Sequence, residues 1–167
     1  PKTKSTGARN PFYDFMTEVM PGDIVFSYYN QAIRAVGKAL GQAQTASKPD
    51  FGLAGANWAN EGWYIEVEFE TLETPLLPKE HMDVLRPLLP DTYAPLKQTG
   101  DGKEFYLTAL SDQFGSSLIA LIGDTGSSAV SRLSHYRPIE NPANDANQAA
   151  IAGRTDIGET TKTQLVK

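Results

Sequence analysis

Two strand-forming runs separated by a short turn constrain this chain most: residues 23–29 (DIVFSYY) and 32–40 (AIRAVGKAL). Both are rich in β-branched and aromatic residues, and the turn at Tyr29-Asn30-Gln31 is short, so the pair predicts a β-hairpin. Upstream, Asn10 before Pro11 offers an N-cap and a first helical residue. Phe12, Phe15, Met16 and Val19 follow at helical spacing until Pro21-Gly22 stops the pattern. Residues 63–72 (WYIEVEFETL) alternate strictly, which predicts one strand with Trp63, Ile65, Val67 and Phe69 inward and Tyr64, Glu66, Glu68 and Glu70 in water. A short helix is expected over 78–89, ending near Pro87, then a strand over 104–110 and a helix over 112–122 ended by Gly123. This order predicts an α+β domain with a small curled sheet rather than a doubly wound one.

At 167 residues with 40% apolar content, the chain is long enough for one domain with a real core and a tail. Residues 1–125 read as that domain. Residues 126–167, shifted towards Ala, Asn, Ser and Thr, read as a connector with some helix. No run approaches the roughly 18 apolar residues of a membrane helix, and no charged-then-apolar leader opens the chain, so a soluble, cytoplasmic protein is expected. The chain has no cysteine, which excludes disulfides, thiolate nucleophiles and cysteine zinc sites.

A search for catalytic groups finds little. The two histidines, His81 and His135, are far apart, and Glu80-His81-Met82-Asp83 lacks the i,i+4 spacing of a helical zinc motif. The turns at 100–102 and 123–126 match neither a P-loop nor a dinucleotide fingerprint. Alternating acids at Glu66, Glu68 and Glu70 are ordinary for a solvated strand face. No catalytic residue, metal site or cofactor is therefore expected in this chain.

The aromatic residues point elsewhere. Tyr28, Tyr29, Phe51, Trp58, Trp63 and Tyr64 gather around the hairpin and a Gly-rich loop at 41–62, long enough to be a binding loop. A base taken out of its helix needs rings to stack on, amides or hydroxyls for its polar edge, and close backbone. Ser27, Asn30 and Asn57 offer the polar groups, and Gly52, Gly55 and Gly62 the close approach. The plainer alternative is core: alternation puts Trp63 on the apolar strand face, whereas Trp58 stands in a polar loop, and Tyr28 and Tyr29 point to opposite sides. Net charge is -5, which argues against a polyanion partner, yet residues 1–48 hold six basic and three acidic side chains, an excess of +3. Lys4, Arg9, Arg34, Lys38 and Lys48 are the expected phosphate contacts, ordinary mixed surface charge being the alternative.

Ordered blocks then carry a resemblance: Asn-Pro-Phe-Tyr-Asp at 10–14, Pro-Gly-Asp-Ile-Val-Phe-Ser-Tyr at 21–28, Ala-Ile-Arg-Ala-Val-Gly at 32–37 and Lys-Pro-Asp-Phe-Gly at 48–52. Asn57-Trp58, Glu61-Gly62-Trp63, the 78–90 segment (PKEHMDVLRPLLP) and Phe105-Tyr106-Leu107-Thr108 continue it. Together they resemble the N-terminal domain of bacterial HNH endonucleases of the EVE–HNH restriction type, over about residues 7–123 and again at 156–160 and 164–167. The resemblance implies a PUA-like (EVE-type) fold, a small curved, barrel-like sheet with flanking helices, and a pocket for a flipped 5-methyl- or 5-hydroxymethylcytosine. By position, Ser27 and Tyr28 match the strand bordering such pockets, and Trp58 and Trp63 the loop and strand beside it.

The implied partner is double-stranded DNA carrying modified cytosine, with no membrane, and dimerisation, if any, belongs to the parent protein. The resemblance also implies a first strand before Pro1 and an HNH nuclease domain after Lys167, to which cleavage and its divalent metal would belong. An RNA-binding PUA-like module and a domain that binds no nucleic acid are the alternative readings.

Overall fold

The computed structural model describes residues 2–4, 6–47, 60–104, 106–135 and 163–166. It is an α+β arrangement, and pairing across the hairpin sets its centre. Strand β1 (Ile24–Tyr29) runs antiparallel to β2 (Ala32–Ala39), with Tyr29 opposite Ala32. The two turn residues, Asn30 and Gln31, both have positive φ (48° and 62°), the combination that matches the twist of a two-residue hairpin. The expected hairpin is thus present. Its register shifts between Ser27 and Tyr28, which leaves Arg34 as the extra residue of a bulge.

Before the hairpin, Pro11–Asp14 forms α1 and Phe15–Glu18 a 3-10 turn, with the Asn10 side chain accepting from the Phe12 amide at 3.2 Å. Asp23, buried at the entry to β1, accepts from the Met20 amide at 2.9 Å and ties this segment to the strand. Beyond the hairpin, β3 (Gln44–Ser47) and β4 (Glu61–Tyr64) make a separate two-stranded ribbon. Strand β5 (Val67–Leu76) returns to pair with β2. A 3-10 turn at Pro78–His81, α2 (Met82–Leu85), and a 3-10 turn at Arg86–Leu88 replace the single helix expected there. Then come β6 (Leu107–Leu110), α3 (Asp112–Asp124), α4 (Ala129–His135) and β7 (Thr163–Val166).

The main sheet has the order β5-β2-β1-β7-β6, antiparallel throughout except that β7 lies parallel to β1. Among the described residues it does not close into a barrel: β5 and β6 are its two edges. The stretch 126–167, expected as a connector, supplies α4 and an inner strand of this sheet. Helix α3 runs two residues beyond the expected end, to Asp124, because Gly126 rather than Gly123 takes the left-handed conformation (φ 78°).

The run 63–72 departs most from expectation. It is two strands in different sheets, interrupted at Ile65-Glu66, where the Glu66 carbonyl accepts from the Leu40 amide at 2.9 Å. Past the break Phe69 is 42% exposed, while Leu72 and Leu76 are buried. Phe69 and Val67 lie against Gly37, where any Cβ would come within 2.6–2.7 Å of them. Glycine in mid-strand thus makes room for the two side chains.

The sheet separates two apolar clusters. Phe26, Tyr28, Ile33 and Val36 on one face pack with Phe114, Leu118 and Ile122 of α3 and Leu133 of α4. Val25, Ala39 and Leu107 on the other pack with Met16 and Val19 from the N-terminal segment. The candidate site lies on this second face.

Candidate functional site

On the second face the segment after α1, strand β4 and the start of β6 border a half-open, mostly apolar cavity of about 120 Å³. Met16 and Val19 line it from the N-terminal segment and Val25 from the sheet. Trp63, Tyr64 and Ile65 line it from β4 and its exit, with Val67, Tyr106 and Leu107 completing the wall. The strand break at 65–66 separates β4, in the ribbon, from β5, in the main sheet, and Trp63, Tyr64, Ile65 and Val67 on its two sides all line the cavity.

The rim is aromatic. Lys2 brings its ammonium 4.5 Å from the centroid of the Trp63 ring and donates to the Thr45 hydroxyl at 2.7 Å, and Thr45 is the cross-strand partner of Trp63. A cation at this distance is attracted by the ring's electron-rich face. Tyr106 meets Tyr13 edge to face, with centroids 6.1 Å apart and planes at 79°. Burial, and to a lesser degree Tyr13, raises the Tyr106 phenol above the ordinary tyrosine value, so at neutral pH it keeps its proton and can donate. Phe12 and Phe15 both meet Tyr93 edge to face (5.5 and 5.6 Å), extending the aromatic band along α1.

The expected site residues separate into groups. Trp63 lines the cavity. Ser27 is half-buried, two residues along β1 from Val25 and so on the same face. Tyr28 faces the other way: its ring is 7% exposed in the main core, and its hydroxyl accepts from the Gly102 amide at 3.0 Å. Its faces are covered by core neighbours, so this ring is no free stacking platform. Asn30 sits exposed in the hairpin turn, five residues and roughly 17 Å along the strand from Val25. Asn57 and Trp58 lie outside the described residues.

Among the described residues, the expected phosphate contacts Lys4, Arg9, Arg34 and Lys38 form no single patch. Lys4 and Arg9 are on the exposed N-terminal arm, where Arg9 pairs with Asp14 at 2.6 Å. Arg34, in the bulge, donates from Nε to the Tyr29 carbonyl at 3.1 Å, near the hairpin end. Lys38 lies across from Glu68 and Ile24 in the strand register. Lys48 lies outside the described residues. Sequence reasoning missed Lys2, Tyr64 as a wall residue, and Tyr106. Only the alternation of Trp63, Ile65 and Val67 signalled the cavity, because the contacts of Lys2 with Trp63 and of Tyr13 with Tyr106 join distant segments.

Among the described residues, no group of three His, Asp or Glu side chains is placed to hold a metal ion. No helix among them is long and apolar enough to cross a membrane. No model of a known protein family matches the sequence, and no curated protein matches it.

Proposed function

We propose that this chain is a DNA-reading module with a PUA-like fold, which receives a flipped, 5-modified cytosine as the recognition part of a modification-dependent HNH endonuclease. The observation that carries the reading is the aromatic-rimmed cavity of about 120 Å³ beneath Trp63. Its size is close to that of an apolar protein cavity of about 150 Å³ able to take up benzene, so one six-membered ring is an appropriate occupant. The ordered resemblance described above supplies the class of ligand.

In this reading Trp63 and Tyr106 flank the base, the protonated Tyr106 phenol donates to its polar edge, and Ser27 lies on the same sheet face. Stacking of this kind contributes about 1–3 kcal/mol per base, comparable with the few kcal/mol that extrusion costs. Lys2 brings positive charge to the rim and Lys4 to the arm beside it in sequence, suited to the phosphates flanking an extruded nucleotide, while Arg9 is paired with Asp14. Tyr28 contributes by holding the opposite face of β1 in place.

Fluorescence anisotropy on the whole chain, with duplexes differing at one cytosine, tests the reading. Modified DNA is expected to bind at least about tenfold tighter, the discrimination one carbon group provides in an apolar site. Trp63→Ala should abolish that preference, whereas Lys2→Ala should weaken both duplexes alike and lessen the salt dependence. Equal affinity for modified and plain duplexes contradicts the reading. Tighter binding of unmodified single-stranded RNA would favour an RNA-binding module, and no nucleic-acid binding a different ligand class.

A further inference from the structure

We propose that the cavity selects by the polarity of the substituent on the base, accepting a methyl group and disfavouring a hydroxymethyl group. The inference rests on the base-reading function and adds the property of the ligand that the wall recognises.

Met16, Val19, Val25, Ile65, Val67 and Leu107 bring aliphatic and thioether side chains to the cavity, whose lining is mostly apolar. No carboxylate, amide, imidazole or ammonium group belongs to a wall residue. The polar side-chain groups of the wall are the Trp63 indole N–H and two tyrosine hydroxyls: Tyr64 is 51% exposed, and Tyr106 is turned edge-on to Tyr13. A base can place its polar edge towards these rim groups, but a substituent on the opposite side of its ring is then directed at the aliphatic wall. There a methyl group gains contacts. A hydroxyl directed at these aliphatic side chains gives up water and meets none that can donate or accept, the situation in which burying a polar group is unfavourable. An apolar site disfavours a ligand that adds one hydroxyl by up to about 100-fold, so the discrimination is measurable but finite.

Competition binding on the whole chain with three duplexes, identical but for cytosine, 5-methylcytosine or 5-hydroxymethylcytosine at one position, decides the matter. The expected order is methyl tightest, with hydroxymethyl weaker by about 10- to 100-fold. If both modified duplexes bind equally well and better than the plain one, or hydroxymethyl binds best, this inference is overturned while base reading stands. If all three bind equally, base reading fails and the inference with it.

Val67→Thr gives an independent check, because it puts a hydroxyl in the wall at a half-buried strand position where threonine suits the backbone. It should narrow the gap between methyl and hydroxymethyl severalfold, with an unchanged melting temperature showing that the fold is intact. A folded variant with the gap undiminished would place the discrimination outside the cavity and overturn the inference.

Discussion

Gly102 and Gly123 show how differently two glycines act in this molecule. A Cβ at Gly102 would fall 2.3–2.8 Å from the ring and hydroxyl of Tyr28, a buried side chain with no room to retreat. Gly102→Ala should therefore lower stability by about 1–3 kcal/mol through overpacking. At Gly123, exposed within α3, nothing lies within 4 Å, so Gly123→Ala should raise stability by about 0.5–1 kcal/mol through helix propensity. Urea unfolding followed by circular dichroism measures both as opposite shifts of the midpoint. The same scale shows how far local pattern reaches. Alternation alone groups Trp63, Ile65 and Val67, and all three line the cavity. The pattern does not carry on to Phe69, and it says nothing of Lys2 or Tyr106, whose places depend on segments more than 60 and 90 residues away in the chain.

Among the elements, α4 packs Ala129 and Leu133 into the core beside Leu72 and Leu76 of β5, and a charged clamp joins the two elements at the surface. Arg132 donates from Nε to Glu70 at 2.7 Å and from Nη1 to Glu73 at 2.8 Å, while the Ser128 hydroxyl donates to Glu73 at 2.8 Å and the Ser127 hydroxyl donates to it as well. The Ser127 hydrogen bond, then Arg132, hold the Glu73 carboxyl well below the usual carboxylate range. A depressed folded value means that the clamp contributes fully above the ordinary glutamate range and is lost as pH falls below it towards the folded value. Hydrogen exchange at the α4 amides should thus show protection, corrected for intrinsic rates, falling in acid, and Glu73→Gln should show the weaker protection already at neutral pH. Protection that stays constant through acid would contradict the clamp. The acidic residues of 63–72 looked like a plain solvated face in the sequence. The contacts that give Glu70 and Glu73 their role come from 127, 128 and 132, in a stretch whose small, polar composition reads locally as connector. The hairpin, by contrast, was legible because its partners are adjacent in the chain. Strand β7 was not, because strand pairing across more than 130 residues leaves no periodic trace in a four-residue segment.

For the molecule as a whole, the decisive arrangement is an open sheet with one face closed by helices and the other covered by an arm, a 3-10 turn and a ribbon, with a ring-sized cavity under the cover. Net charge of -5 makes general attraction to DNA weak, so under the proposed function affinity is expected to come from the pocket and the few cations at its edge. The arrangement agrees with the α+β class legible from element order, whereas the inner position of β7 and the open edges follow from long-range pairing that composition does not encode. The most direct test of base reading is where the base goes. Side-chain methyl NMR on the whole chain, titrated with a duplex carrying one 5-methylcytosine, should shift the resonances of Val19, Val25, Ile65 and Leu107, while the plain duplex leaves them in place. Equal shifts with both duplexes, or shifts confined to methyl groups away from the cavity, would contradict the account.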